Sequence, residues 1–549
     1  MNLHLNVWKI RIALVFIAAA LLLPFLGKNQ LIDWDETLYA EVSREMLVTG
    51  DYSTSQMYFT PFYTKPKPPV FFWMQSAAMK AFGVNAFAAR FPNVICGILS
   101  LLILFELGRK LINSEFGILW AAAYGCSIFP FLFFKSGYMD PWYHLLSFLG
   151  AALFAFALSE TSEQKKWRFL ATSSILIGLA TLVKGHSILV IMGLIFGVCF
   201  FRRKNQLKPH HYLFFFTIAI FVSSLWFFSE AALGRADMIK AFLRYQTGLF
   251  LKDKSPGDPF YYHGIAFLFG CFPASVFAVH GAFSKTIKIK MFKEFMMILF
   301  WVVFIFFSVS ASKLPTYAGL AWFPISFFAA LSLHQILVEK KVPKILLGGL
   351  LTVSALISIY LVGILYVHNP ETIMFSGENL RAALNFSAWK QVNPVWSRWE
   401  IIGGIIFMVG ILISAACFAA KKHLPAIFGI FLISLFASFF CHLVLLPKWL
   451  EMTQEPLHQF CEAHRGQQAT AKTFGFNSFL VPFYMQVSPE TEKHRPSTKD
   501  VDEFINWKKD KPVYFIVRND FDPQFEEKYP VLRSKKIMSS DRLIFYRLN

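Results

Sequence analysis

Charge is scarce in this sequence. Only 16% of its 549 residues are Asp, Glu, Lys or Arg, where soluble globular domains carry about 25%. With 56% hydrophobic residues and a mean hydropathy of +0.48, that deficit excludes an ordinary soluble domain. Paired cysteines are missing too. The seven Cys are scattered, six of them in apolar segments, so neither a disulfide framework nor a zinc site is expected. The outer polar segments contain no Gly-rich phosphate loop, and no His/Asp/Glu cluster demands a metal. Internal repeats and low-complexity stretches are absent as well. One sign of charge is nevertheless in excess, at +19. That excess would suit nucleic acid, but its placement argues against such a partner.

What is present is a succession of apolar runs, each long enough to cross a hydrocarbon core of about 30 Å. Thirteen spans are predicted, at 11–28, 88–108, 116–134, 141–159, 168–183, 186–201, 211–232, 263–283, 294–311, 316–336, 344–366, 400–420 and 424–446. The first has a basic lead-in but no convincing small-x-small cleavage site, so it reads as a retained span. Every second connection is short and basic: Arg109-Lys110, Lys165 to Arg168, Arg202 to Lys208, Lys285 to Lys293, Lys340 to Lys344, and Lys421-Lys422. Together they hold eighteen lysines and arginines. The positive-inside rule places them in the cytoplasm with the N-terminus, and places the C-terminus on the opposite side. The basic excess is therefore a topology signal. Residues 1–447 form the expected membrane domain, with outer loops 29–87, 233–262 and 367–399. Residues 448–549 form an expected outward-facing α/β domain, with strands at 469–485, 513–517 and 542–547 and a helix at 501–508.

The polar stretch Asp33 to Trp73 concentrates the candidate chemistry. Asp33, Asp35 and Glu36 open it, and Lys65 and Lys67 close it among Pro66, Pro68 and Pro69. Helix capping explains the acids, with an amphipathic surface helix following through Leu38, Val42 and Met46. A general base at Asp35 is compatible with that reading. Asp140, before Pro141, is a helix start and also a carboxylate at the membrane border, a functional candidate by default. Lys135, Lys184 and Lys313 stand singly on outward turns, and Lys65, Lys67 and Arg244 on longer outer loops. Each alone is a snorkelling side chain; six on one face suit an anionic ligand. The prolines hold Lys67 in an extended backbone that loses little entropy when it meets a phosphate. Tyr317, Tyr262 and His263 lie on outward connections within reach of a ligand, although His263 equally suits a helix start.

The set Asp35-Glu36, Tyr39-Ala-Glu41, Arg44-Glu-Met46, Gly50-Asp51, Lys67-Pro-Pro69 and Phe72-Trp73 resembles the polyprenyl-phosphate-dependent integral membrane glycosyltransferases. The likeness is above all to the bacterial enzymes that transfer 4-amino-4-deoxy-L-arabinose to lipid A, and more distantly to protein O-mannosyltransferases. It continues through Thr181 to Gly185, Arg244-Tyr245, Pro259 to Tyr262, Ser312 to Tyr317 and Phe323-Pro324. The resemblance implies the GT-C fold, an α-helical polytopic body with a small C-terminal periplasmic domain. It implies that Asp35 is the catalytic carboxylate, with Glu36 beside it and Asp140 as a second acid. Lys67, Arg244 and Tyr317, with Lys65, Lys184 and Lys313 around them, would hold the donor phosphate, and Tyr39, Tyr262 and His263 would line the substrate cavity. Two departures stand out. Pro66 occupies a position that is glutamate in the aminoarabinose transferases, and Leu38 one that is arginine. Lys65 is a candidate to supply the missing charge.

The expected function is inverting transfer of a sugar from a polyprenyl (undecaprenyl) phosphate to an envelope acceptor: lipid A, protein or another glycan. A monomer in the bacterial inner membrane is expected, in contact with membrane lipids and without nucleic acid. No cofactor is required, though a divalent metal near Asp35 and Glu36 is compatible with the sequence. The alternative is a transporter or flippase of a lipid-linked sugar, which would use the same cations without chemistry.

Overall fold

The computed structural model describes residues 6–202, 207–251, 259–284, 289–367, 399–493, 495–496, 501–507, 511–540 and 542–548. Most of the expected outer loop 367–399, and part of 233–262, lie outside the described residues.

The body is a helix bundle. In chain order it comprises α1 (Val7–Leu22), α2 (Asp35–Thr49), α3 (Val70–Phe82), α4 (Ala86–Leu111), α5 (Ser114–Gly125), α6 (Ile128–Phe134), α7 (Asp140–Ser159), α8 (Glu163–Val183), α9 (Ser187–Arg202), α10 (Pro209–Ala232), α11 (Ala236–Leu251), α12 (Tyr262–Gly270), α13 (Ala274–Ala282), α14 (Lys290–Val309), α15 (Trp322–Glu339), α16 (Lys344–Val367), α17 (Trp399–Ala419) and α18 (His423–Phe440). Among the described residues nine helical stretches are long and apolar enough to cross a membrane. Two bent pairs add to them, α5–α6 at 73° and α12–α13 at 109°. Among the described residues the helices at the predicted spans 11–28 and 186–201 are each 16 residues long, where an upright crossing takes about 20. The α12–α13 bend falls where Pro273 removes a backbone donor from the helical ladder.

The stretch between the first two apolar segments departs most from expectation. A helix does follow Asp35, and it ends at Gly50, whose φ of 73° closes α2 with an N–H to the Met46 carbonyl. It is no surface helix, however, because every residue from Glu36 to Met46 is buried. α2 lies between α3 and a helix from the C-terminal region, so both of its faces have protein neighbours. That second partner was invisible to a periodicity argument. A short hairpin, β1 (Gln56–Met57) with β2 (Thr60–Pro61), leads on toward the proline-flanked lysines.

After α18 the chain continues through α19 (Leu446–Thr453) and α20 (Glu455–Ala463) to a four-stranded sheet. Its order is β3 (Thr470–Phe474), β4 (Val513–Arg518), β6 (Leu543–Arg547) and β5 (Lys536–Ser539). β3 and β4 run parallel and the other pairs antiparallel. The strand predicted over 469–485 is really β3 followed by α21 (Leu480–Met485). α21 is the helix that packs on α2.

Candidate active site

A cavity of about 330 Å³ opens where α2, α7, α8, α11 and α14 come together at one end of the bundle. Its wall includes Trp34, Asp35, Tyr39, Lys65, Lys67, Tyr143, Lys184, Tyr245 and Tyr317. The basic connection at the start of α8 lies a full 21-residue helix away, or about 30 Å at 1.5 Å per residue.

Asp35 begins α2 directly after Trp34, whose φ of 76° and ψ of −108° are strained for a residue with a side chain. Contacts on both sides hold that conformation. The Asp33 carboxylate accepts from the Trp34 N–H (2.7 Å), the Phe479 N–H (2.9 Å) and the Thr37 hydroxyl (3.2 Å). The Trp34 ring meets Phe479 edge-on at 5.9 Å, and the Lys65 ammonium sits 4.2 Å from the same ring. Gln454 adds a bond from the Asp33 N–H at 3.0 Å and donates to the Leu31 carbonyl at 2.7 Å. The turn that aims Asp35 into the cavity is therefore braced by residues more than four hundred positions later.

Glu36 faces the other way. Arg90 bonds both its oxygens, at 2.9 and 3.1 Å, and the amides of Ile32 and Gly137 donate to it as well. Burial alone would raise the Glu36 pKa, but the Arg90 guanidinium and these donors hold it below the usual carboxylate value. Arg90 spends its remaining donors on the carbonyls of Leu26, Asn29 and Gln30. This knot ties the end of α1 to α2, α4 and the turn before α7. The sequence-based pairing of Glu36 with Asp35, for catalysis or for a metal, is corrected accordingly, because both Glu36 oxygens are already occupied. No group of three His, Cys, Asp or Glu side chains suited to a metal occurs among the described residues.

Lys67 is buried, with its ammonium 4.7 Å from the Tyr245 ring. Burial lowers its pKa, and the charges of Asp35 and Asp140 act in the opposite direction. Lys184 ends α8 and reaches Asp140 Oδ1 at 2.5 Å, while its ammonium lies 4.7 Å from the Tyr317 ring. Burial pushes the Tyr317 phenol above its ordinary pKa, so the hydroxyl stays protonated and can donate. Tyr39 lines the same wall and is 3% exposed.

Other predicted residues fall outside this wall. Arg244 is exposed, and α11 turns Tyr245, Gln246 and Leu249 to the cavity in its place. Lys313 folds back to donate to the Ser310 carbonyl at 3.0 Å. His263 is buried within α12 among Tyr262, Phe267 and Phe307, and neither it nor Tyr262 is on the cavity wall. Lys135 donates to the carbonyls of Leu22 and Pro24, capping the end of α1. Sequence reasoning overlooked Trp34, Tyr143 and Phe479. The first sits inside the acidic motif itself and was legible there; the third carried no signal.

An apolar groove of about 760 Å³ runs along α9 and α14, from Arg202 and Glu294 to Val309. Phe306 lines both this groove and the cavity.

Comparison with known proteins agrees with this architecture. A family model described as dolichyl-phosphate-mannose-protein mannosyltransferase matches residues 66–227. An undecaprenyl phosphate-alpha-4-amino-4-deoxy-L-arabinose arabinosyl transferase from Wigglesworthia glossinidia brevipalpis is 26% identical over 344 residues. That match covers 61% of this chain and spans 60% of the relative's length. A second such transferase, from Proteus mirabilis (strain HI4320), is 24% identical over 72% of this chain and 71% of its own. The crystal structure of ArnT from Cupriavidus metallidurans bound to undecaprenyl phosphate superposes with a TM-score of 0.76 at 16% identity, covering 99% of both chains. This chain is a multi-pass membrane protein of the GT-C fold, similar in sequence to the polyprenyl-phosphate-dependent glycosyltransferases of the 4-amino-4-deoxy-L-arabinose transferase family.

Proposed function

We propose that this chain is an inverting glycosyltransferase that moves a sugar from a polyprenyl phosphate, of the undecaprenyl type, to an envelope acceptor such as lipid A. One observation carries the reading above the rest: Asp35, Lys67, Lys184 and Tyr317 converge on a single cavity that adjoins an apolar groove through Phe306. An isoprenoid tail suits the groove, and a phosphate suits the cavity at its end.

The acceptor oxygen attacks the anomeric carbon, forming the new C–O bond as the bond from that carbon to the phosphate oxygen breaks. Asp35 takes the acceptor's proton if it has one. The polyprenyl phosphate leaves with one more negative charge on the oxygen that it keeps. Fixed cations and a phenol donor favour that charge more than the bound donor's, which lowers the barrier rather than merely tightening binding. Lys67, Lys184 and Tyr317 take this role. Asp140 fixes the position of Lys184 and balances part of its charge. Among the donors present, Asp35 and Glu36 do not offer a divalent metal a joint site.

The positive-inside rule supports a periplasmic cavity, with the C-terminal region on the same side and the N-terminus in the cytoplasm. The inner membrane of a bacterium and a monomeric state belong to the same proposal, as does residue 447 as the boundary between membrane and soluble domains. Purified protein, given polyprenyl-phosphate sugars with lipid A and with peptide acceptors, should yield a glycosylated product detectable by mass spectrometry. Lipid-linked sugar that crosses a bilayer without any glycosidic product would support the transporter instead.

A further inference from the structure

The structure assigns a lipid site apart from the groove along α9 and α14: a cleft between α1 and α4 that takes one anionic glycerophospholipid by its phosphate and an acyl chain. The cleft has a volume of about 440 Å³. Arg90, near the start of α4, meets Glu36 beside the candidate active site, whereas the cleft lies along the last turns of the same helix. It therefore sits at the opposite end of the bundle. Each wall repeats every fourth residue and so is one stripe of a helix. Trp8, Ile12 and Phe16 come from α1, and Leu102, Glu106 and Lys110 from α4. Eight residues separate Phe16 from Trp8, or about 12 Å at 1.5 Å per residue. One end of that length is apolar and the other is charged.

The charged end is built around one carboxylate. Glu106 Oε1 accepts from Arg11 Nε at 2.7 Å, and Oε2 accepts from Arg109 Nη2 at 2.8 Å. The Arg11 guanidinium also lies 5.1 Å from the Trp8 ring. Its Nη1 and Nη2 have no hydrogen-bond partner among the described residues, and neither has the exposed Lys110 ammonium. Three cations thus surround one acid. Glu115, the next acid along the chain, opens α5 and interacts with His334 of α15. Residues 1–5, 203–206 and 285–288, which lie outside the described residues at the chain start and in the basic connections, include no Asp or Glu. A guanidinium edge and an ammonium with unused donors suit the oxygens of a phosphate.

The apolar continuation makes the ligand a lipid. Phe16 is 69% exposed and Ile12 51%, so the cleft opens to the acyl chains around the bundle. Arg11 is the fifth residue of α1, and Glu106 stands five residues before the end of α4. Their ion pair therefore lies inside two apolar segments, where charge is expensive and marks a functional candidate. A phosphodiester seated on Arg11 and Lys110 offsets that cost, and its chain covers Ile12, Phe16 and Leu102. Trp8, exposed at the start of α1, stands at the level of the headgroups. A zwitterionic lipid brings its own cation to the same rim, where Arg11 and Lys110 oppose it.

Native mass spectrometry of the full chain in neutral detergent tests this, with phosphatidylglycerol, phosphatidylcholine and soluble glycerol phosphate added in turn. One phosphatidylglycerol should stay bound, about tenfold or more tighter than phosphatidylcholine with the same chains. Lys110→Gln, which breaks no contact, and Arg11→Gln should each weaken it by about fivefold, the worth of one cation at a membrane surface. Ile12→Trp should weaken both lipids by filling the cleft. Lys421→Gln with Lys422→Gln, on a basic connection outside the cleft, should change nothing. Melting without lipid separates loss of the site from loss of the fold, and Lys110→Gln decides the matter if Arg11→Gln does not fold. Equal retention of the two lipids, or unchanged phosphatidylglycerol binding in Lys110→Gln, would overturn the site. An equal loss in the Lys421 and Lys422 variant would overturn it too, by making the effect general to the basic face. Glycerol phosphate bound as tightly as the lipid would leave only a free-anion site. A lipid-independent dimer abolished by Ile12→Trp would give the cleft to a second copy of the chain instead.

Discussion

Lys184 Nζ stands 2.5 Å from Asp140 Oδ1, and the same ammonium lies over the Tyr317 ring at 4.7 Å. The carboxylate is 4% exposed, so the pair is largely sealed from water. Removing one member of a buried pair leaves an uncompensated charge, at about 3–5 kcal/mol. Lys184→Ala should therefore lose both thermal stability and donor binding. Lys184→Met with Asp140→Asn should recover the stability in a melting assay and still fail to bind donor. Recovery of binding in the double variant would remove Lys184 from the phosphate site.

Asp35→Asn keeps the size of the side chain and takes away its proton affinity. With a hydroxyl acceptor, kcat should fall by about two to four orders of magnitude, the worth of a positioned base. Donor affinity should change far less. An acceptor already ionised at the assay pH should show a much smaller loss, so acceptor class and the Asp35 effect are linked measurements.

In the proposed reaction Lys67 acts as a cation, and burial draws its pKa down from the ordinary lysine value. A group with a lowered pKa sheds its proton at a lower pH. Donor affinity of the free protein should therefore decline on the alkaline side before the ordinary lysine pKa of about 10.4 is reached. Lys67→Arg should move that limb upward, because the guanidinium stays charged, while binding more weakly at neutral pH through its altered geometry. Affinity measured from pH 7 to 10.5 checks both.

Glu36 titrates below its unfolded value, because Arg90 outweighs the effect of burial. Such a group contributes stability that is present above its unfolded pKa, about 4.3, and lost as the pH falls through the folded pKa. Melting curves recorded toward acid should steepen in their loss for the native protein and flatten for Glu36→Gln with Arg90→Met. Glu36→Ala alone should cost about 3–5 kcal/mol by stranding Arg90.

The membrane body was legible because each span must be apolar along its whole length, and the basic connections mark their own side. The cavity was legible in part. Asp35, Lys67, Lys184 and Tyr317 come from segments where a charged or hydroxylic side chain stands out against an apolar background, and they do line it. Glu36 and His263 stood out equally, yet Glu36 lies against Arg90 and His263 among aromatic rings, both off the cavity wall, since sequence reveals a polar group and not its surroundings. Arg244 was off by one residue on a helix, enough to turn it by about 100° away from the ligand side. The strain at Trp34 had no local signal, because the residues that impose it, Gln454 and Phe479, are remote.

Phe479→Ala removes a ring that meets Trp34 at 5.9 Å and Phe62 at 6.1 Å. Each such aromatic contact is worth about 0.5–1.5 kcal/mol beyond its burial. The variant should keep its helix content while activity drops and proteolysis near Trp34 speeds up, since the turn would relax toward an unstrained backbone. Limited proteolysis and circular dichroism on one sample separate local loosening from unfolding.

The bonds from Gln454 and Phe479 to Asp33 also set an order of events during synthesis. A ribosome releases the turn around Trp34 among the first forty residues and its brace only after most of the chain has emerged. Through that interval the spans can insert and pack, but nothing holds the strained turn. The end of α2 that carries the proposed base, Asp35, matures late, when the closing segment arrives to grip it. Chains stopped after α18 should thus reach the membrane as inert precursors, with one face of α2 left uncovered.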